Sequence, residues 1–122
     1  MANTGKYVVS ITHGGEDADR ASVGFVVANA ALGSAQDTMV WLSCEGVRLA
    51  EKGVAETVHE EGLTPLKEML DTFIAGGGKV YACGTCATKR NLGPEDMIDG
   101  AEITGAATLV AFTADSTPTV TY

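Results

Sequence analysis

Two rhythms of apolar positions alternate along the chain. Residues 6–12 (KYVVSIT) form a short, β-branched apolar run that stops at His13, Gly14 and Gly15, as a buried strand does. No proline interrupts residues 17–32, where Val23, Val26, Val27, Ala30 and Ala31 recur on one helix face. Ala21, Phe25, Ala28 and Leu32 add a second stripe beside it. A helix apolar over so much of its surface needs cover on two sides, one from its own sheet and the other from a second subunit. Gly33 ends the helix, and residues 37–43 (DTMVWLS) predict a second strand. A short helix over 47–52 and a solvated loop over 59–62 follow.

Thr64 as N-cap and Pro65 as first helical residue open the next helix. Leu66, Met69, Leu70, Phe73 and Ile74 keep helical spacing until Gly76, Gly77 and Gly78 stop it. Residues 79–83 (KVYAC) predict a third strand, residues 85–91 two turns of helix, and residues 93–96 a further short helix. Residues 108–113 (TLVAFT) suit a strand as well as a helix. The adopted reading is a helix over 103–114 and a final strand over 117–122. Strands alternating with helices imply parallel strands with helices on both faces. In such sheets ligands gather at the carboxyl ends of the strands. A length of 122 residues fits one domain, residues 1–122, and leaves no room for two.

Composition narrows the class. Hydrophobic residues at 45% support a real core, while aromatics at 6% leave it to Ala, Val, Leu and Ile. The net charge of −8 disfavours nucleic acid, because an acidic surface repels phosphate. No apolar run is long enough to span a bilayer, and residues 1–7 lack a signal-peptide hydrophobic region, so the expectation is a soluble cytoplasmic protein with no membrane partner. Three cysteines are too few, and odd in number, for a disulfide scaffold.

The chemistry concentrates at predicted strand ends. His13 closes the first strand, Cys44 follows the second, Cys83 closes the third, and Cys86 lies in the first turn of the next helix. On a parallel sheet these four share one rim. A thiol reacts as its thiolate, which a helix N-terminus or a nearby cation favours. Lys89 and Arg90 stand three and four residues beyond Cys86 on the same helical face. Residues 72–94 contain no Asp or Glu, although the chain has 16 of them, so a local positive field is expected around the sulfurs. The bland readings are a buried apolar filler for Cys83, Cys86 and, most of all, Cys44, a charge on the negative end of a short helix for Lys89 and Arg90, and an ordinary surface histidine for His13. The Cys83-x-x-Cys86 spacing also allows a dithiol redox pair. A zinc site from Cys44, Cys83, Cys86 and His13 is a further option, weakened by the absence of a second closely spaced ligand pair. Gly14 and Gly15 lack phosphate-loop spacing.

Taken with the size, the first strand leading into a small-residue-rich helix, and the strand–Cys–short helix element with its basic pair, the chain resembles the DsrE/DsrF-like proteins, which include TusD-type sulfur-relay subunits. Cys83 stands six and seven residues before Lys89 and Arg90, matching the acceptor cysteine of TusD-like members. Other members carry a cysteine where Cys86 lies. Here Asn91, Leu92 and Gly93 replace the Gly that commonly follows the basic pair directly. The resemblance implies a Rossmann-like three-layer α/β/α fold with a five-stranded parallel sheet, and assembly as trimers or hexamers. It also implies sulfur transfer without a cofactor, from donor proteins or small persulfides to an acceptor. On that reading Cys83 takes up sulfane sulfur, Lys89 or Arg90 stabilises the persulfide anion, Cys86 releases the sulfur as sulfide, and His13 donates a proton. Two other classes remain: a redox protein or sensor cycling a Cys83–Cys86 disulfide, and a non-enzymatic oligomer that binds a small anion or a partner at the same rim.

Overall fold

A computed structural model of the protein describes residues 5–122. Five strands form a single sheet: β1 (Lys6–Ile11), β2 (Asp37–Leu42), β3 (Lys79–Cys83), β4 (Ala101–Thr104) and β5 (Thr119–Thr121). Their spatial order is β4-β3-β2-β1-β5, and every adjacent pair is parallel. Four helices connect them: α1 (Ala18–Gly33), α2 (Leu66–Ala75), α3 (Gly84–Lys89) and α4 (Ala106–Thr113). The first three crossovers step outward from β1 to β4, and the last returns across the sheet to pair β5 with β1.

Side chains alternate across the pleat and so divide between two cores. Val9, Ile11, Val40, Leu42, Val80 and Ala82 face α1 and α2, packing with Phe25, Leu66, Leu70 and Phe73. Phe25 and Phe73 meet edge to face at 6.1 Å. Truncating a buried phenylalanine of this kind costs about 3–5 kcal/mol. On the opposite face Val8, Met39 and Trp41 form a smaller cluster, capped by Leu109 and Phe112 of α4. Lys6 Nζ lies 5.0 Å from the centre of the Phe112 ring and Lys79 Nζ lies 5.9 Å from it. Lys6 also donates to the Phe112 carbonyl at 3.1 Å, which satisfies one of the orphan carbonyls at the end of α4.

The expected α/β architecture with a five-stranded parallel sheet is therefore present, with helices on both faces. Four local expectations change. The helix over 103–114 is shorter, and residues 101–104 form β4 instead. Gly100, at φ +91°, turns the chain into this edge strand, and Gly105 serves as N-cap of α4. The helix expected to open at Thr64 and Pro65 starts one residue late: Pro65 is the N-cap, and no side chain caps the helix. The Leu66 N–H instead donates to the Val58 carbonyl at 3.1 Å, which anchors the helix start to the preceding loop. The short helix over 47–52 is a 3-10 turn over Cys44–Ala50. On α1 the buried stripe is Ala21, Phe25 and Ala28, while Val26 is 46% exposed. Among the described residues no helix is long and apolar enough to cross a membrane.

Candidate functional site

The carboxyl ends of β1, β2 and β3 lie side by side, and the segments leaving them pack closely. Ser43 N–H donates to the Ile11 carbonyl at 3.1 Å, and Gly46 N–H donates to the Thr12 carbonyl at 3.3 Å. Glycine is required here for space. A Cβ on Gly46 would sit 2.2 Å from the Ile11 carbonyl oxygen, and one on Gly14 would sit 2.6 Å from that of Glu45. The loops after β1 and β2 thus rest backbone on backbone.

Cys83 ends β3 and is the N-cap of α3. Its half-buried side chain packs with Tyr81, Leu109 and Phe112 against the Val8, Met39 and Trp41 cluster. Cys86 is also half-buried, but it packs against the larger core on the α1 and α2 side. The two thiols of the C-x-x-C segment therefore flank the sheet edge from opposite faces. Both are free.

Cys44 differs from its reading as a buried filler. It is exposed and free, and its backbone lies in the left-handed region at φ +52°. Its N–H donates to the Cys86 Sγ at 3.1 Å. That bond ties the loop after β2 to the Cys86 sulfur. Sequence spacing carried no sign of it, because 42 residues separate the two cysteines.

The basic pair divides. Lys89 is exposed and makes no hydrogen bond or ion pair among the described residues. Arg90 is drawn inward, with its side chain 14% exposed. Its guanidinium donates to the Cys86 carbonyl at 3.1 Å and lies 3.4 Å from the Glu45 carboxylate. The same carboxylate oxygen accepts from Arg48 at 3.1 Å. Arg90 thus ties α3 to the loop that carries Cys44. The acid-free stretch expected to leave a positive field receives its counter-charges from elsewhere, Arg90 from Glu45 and Lys79 from Asp37.

His13 is half-buried, and its Nδ1 lies 3.1 Å from the Thr12 hydroxyl. That hydroxyl donates to the Tyr122 carbonyl at 3.0 Å. His13 also contributes to holding the Asp17 carboxylate low, behind the larger effect of the Arg20 N–H. Among the described residues it forms no hydrogen bond with a cysteine. Among the described residues no three His, Cys, Asp or Glu side chains gather into a metal-binding group, so the four residues considered for zinc are not assembled as a ligand set. A cavity of about 360 Å³ lies at the other end of the sheet, lined by Lys6, Gln36, Asp115 and Thr117, away from the thiols.

A five-stranded parallel sheet with three free thiols at its carboxyl edge defines a small thiol-bearing protein of Rossmann-like α/β architecture. The chain belongs to the DsrE/DsrF-like family, whose profile matches residues 5–122. It is 30% identical over 117 residues to an uncharacterised protein of Methanocaldococcus jannaschii, covering 96% of this chain and 99% of that one. An uncharacterised protein of Methanopyrus kandleri is 31% identical over 98 residues, covering 80% of this chain and 78% of its own length. A second M. jannaschii protein is 28% identical over 101 residues, and the match covers 83% of this chain but only 37% of that longer protein. The fold is similar to the ychN protein from E. coli, with a TM-score of 0.69, 20% identity, and coverage of 96% and 99% of the two chains. It is equally similar to MTH1491, a protein of unknown function from Methanobacterium thermoautotrophicum, with a TM-score of 0.69, 13% identity, and coverage of 96% and 98%. Membership of this family suggests a sulfur-relay type of role.

Proposed function

We propose that the protein is a sulfur-relay carrier that accepts sulfane sulfur as a persulfide on Cys83. The observation that carries this reading is the position of Cys83. It closes a central strand at the carboxyl edge, leads into α3, and stays partly exposed. A thiol so placed can be met by a docking protein without disturbing the large core. The first-turn N–H groups of a helix have no intrahelical acceptor, so those after Cys83 suit a sulfur anion. Lys89, on the same short helix and without a partner among the described residues, offers a cation for the persulfide, whereas Arg90 is committed to Glu45.

Loading transfers the outer sulfur of a donor persulfide: the Cys83 thiolate attacks it, a new S–S bond forms, and the donor leaves as a thiol. Delivery is the reverse exchange with an acceptor thiol. Alternatively, Cys86 attacks Cys83 in its persulfide, forming a Cys83–Cys86 disulfide and expelling sulfide. The two thiols are then oxidised, and the sulfane sulfur is reduced. Cys83 is the N-cap of α3 and Cys86 lies in its first turn, on opposite faces of the sheet edge, so this step includes a side-chain rotation that brings the two sulfurs together. His13 serves this scheme only as a proton donor through solvent. The working form is a homo-oligomer, a trimer or hexamer. In support, α4 is apolar yet buries no residue fully, and Val110 is 65% exposed.

Incubation of the reduced protein with a small-molecule persulfide, followed by intact-mass analysis, tests the carrier. One sulfur atom of added mass is expected, lost in Cys83→Ser. Undiminished gain in that variant would defeat the assignment, and loading of Cys86 alone would move it there. The dithiol alternative draws on the same two residues and predicts cycling with no added sulfur.

A further inference from the structure

We propose that Cys44 and Cys86 form a redox-active thiol pair, with exposed Cys44 as the resolving thiol. Four observations converge on it. The Cys44 N–H lies 3.1 Å from the Cys86 sulfur. A backbone nitrogen is about 1.46 Å from its own Cα, so the Cys44 Cα lies no more than about 4.6 Å from that sulfur. That short Cα–sulfur distance is of the size a disulfide spans, and the exposed Cys44 side chain has only its χ1 to adjust to bring its own sulfur round.

The backbone at Cys44 supplies the second observation. A non-glycine residue at φ +52° is held in the left-handed region that side chains seldom adopt, and such strained positions collect where a side chain is put to use. The third is the clamp: Arg90 grips the Cys86 carbonyl and the carboxylate of Glu45, the residue next to Cys44, and so fixes the two thiol-bearing segments against each other. The fourth is the division of the C-x-x-C segment. Cys83 packs on the α4 side and Cys86 on the α1 and α2 side, the side on which the Cys44 loop reaches it.

The chemistry closes with a named oxidant. A low-molecular-weight disulfide accepts two electrons, becoming two thiols, while Cys44 and Cys86 lose their thiol hydrogens and form one S–S bond. Within the proposed carrier, which this step then serves, the oxidant is the Cys83–Cys86 disulfide left by sulfide release. The Cys44 thiolate attacks the Cys86 sulfur, the Cys44–Cys86 bond forms, and Cys83 departs as a thiolate, ready for another sulfur. Arg90 acts as a positioning residue for this exchange.

The test uses the intact reduced protein and oxidised glutathione, with no sulfur donor, so its failure is distinct from failure of persulfide loading. Trypsin leaves Cys44 in residues 21–48, and Cys83 together with Cys86 in residues 80–89. The expected product links these two peptides, with fragmentation assigning the bond to Cys86. Cys83→Ser keeps the link and Cys44→Ser abolishes it. Arg90→Ala slows its formation several-fold while the circular dichroism of the fold persists. Any product in which Cys44 is not bonded to Cys86 overturns the proposal, including an internal bridge within residues 80–89 or a glutathione adduct on Cys44 alone.

Discussion

Ser22 is fully buried in α1, and its hydroxyl has no hydrogen-bond partner among the described residues. A buried donor without an acceptor costs about 1–3 kcal/mol, and alanine is the better helix former. Ser22→Ala should therefore raise stability by about 1 kcal/mol, read as a higher urea midpoint at unchanged slope. A lower midpoint would mean that the hydroxyl is satisfied. Residue types at strand ends were legible from spacing, and so were the candidates Cys83 and Cys86. What each charge faces was not. Glu45 and Asp37 lie far from residues 72–94 in sequence, and only the folded register sets them beside Arg90 and Lys79. Cys44 is the clearest case, because nothing in a one-dimensional pattern reports a left-handed backbone or a donor aimed at a sulfur 42 positions away.

α1 begins with a side-chain cap. Asp17 accepts from the Arg20 N–H at 3.0 Å and pairs with the Arg20 guanidinium at 2.5 Å. The backbone hydrogen bond, then the side-chain one, hold its carboxyl below the ordinary value of 3.8. Its folded-state value is thus lower than its unfolded one. The stability it contributes is complete above about pH 3.8 and is lost as pH falls through the lowered value. Asp17→Asn keeps a cap but removes the titration, so the acid limb of its stability curve should be flatter than that of the parent. Equal limbs would show that the cap does not couple to folding. Helices and long strands were readable because their periods extend over many residues. β4 was not, since four residues (AEIT) at a sheet edge also suit a helix start. Its signs were the glycines at 100 and 105, with Ala101 and Ile103 alternating inward between them.

At the scale of the whole protein, α4 is the one helix among the described residues that covers this face of the five-stranded sheet, and its outer side offers Ala106, Ala107, Val110 and Ala111 to solvent. Light scattering should give a mass several times 12.5 kDa for the parent. Val110→Glu should shift it toward the single chain without loss of secondary structure, because no fully buried contact is removed. A parent that runs as one chain at micromolar concentration would refute the assembly.

Two absent carbon atoms, at positions 14 and 46, let the loops beyond β1 and β2 lie against each other. The seat for Cys44 is thus built by main chain and held by glycine, not by the sulfur it presents. Over evolutionary drift the thiols would be free to change while that socket persisted, so a descendant could lose the chemistry and keep its mould.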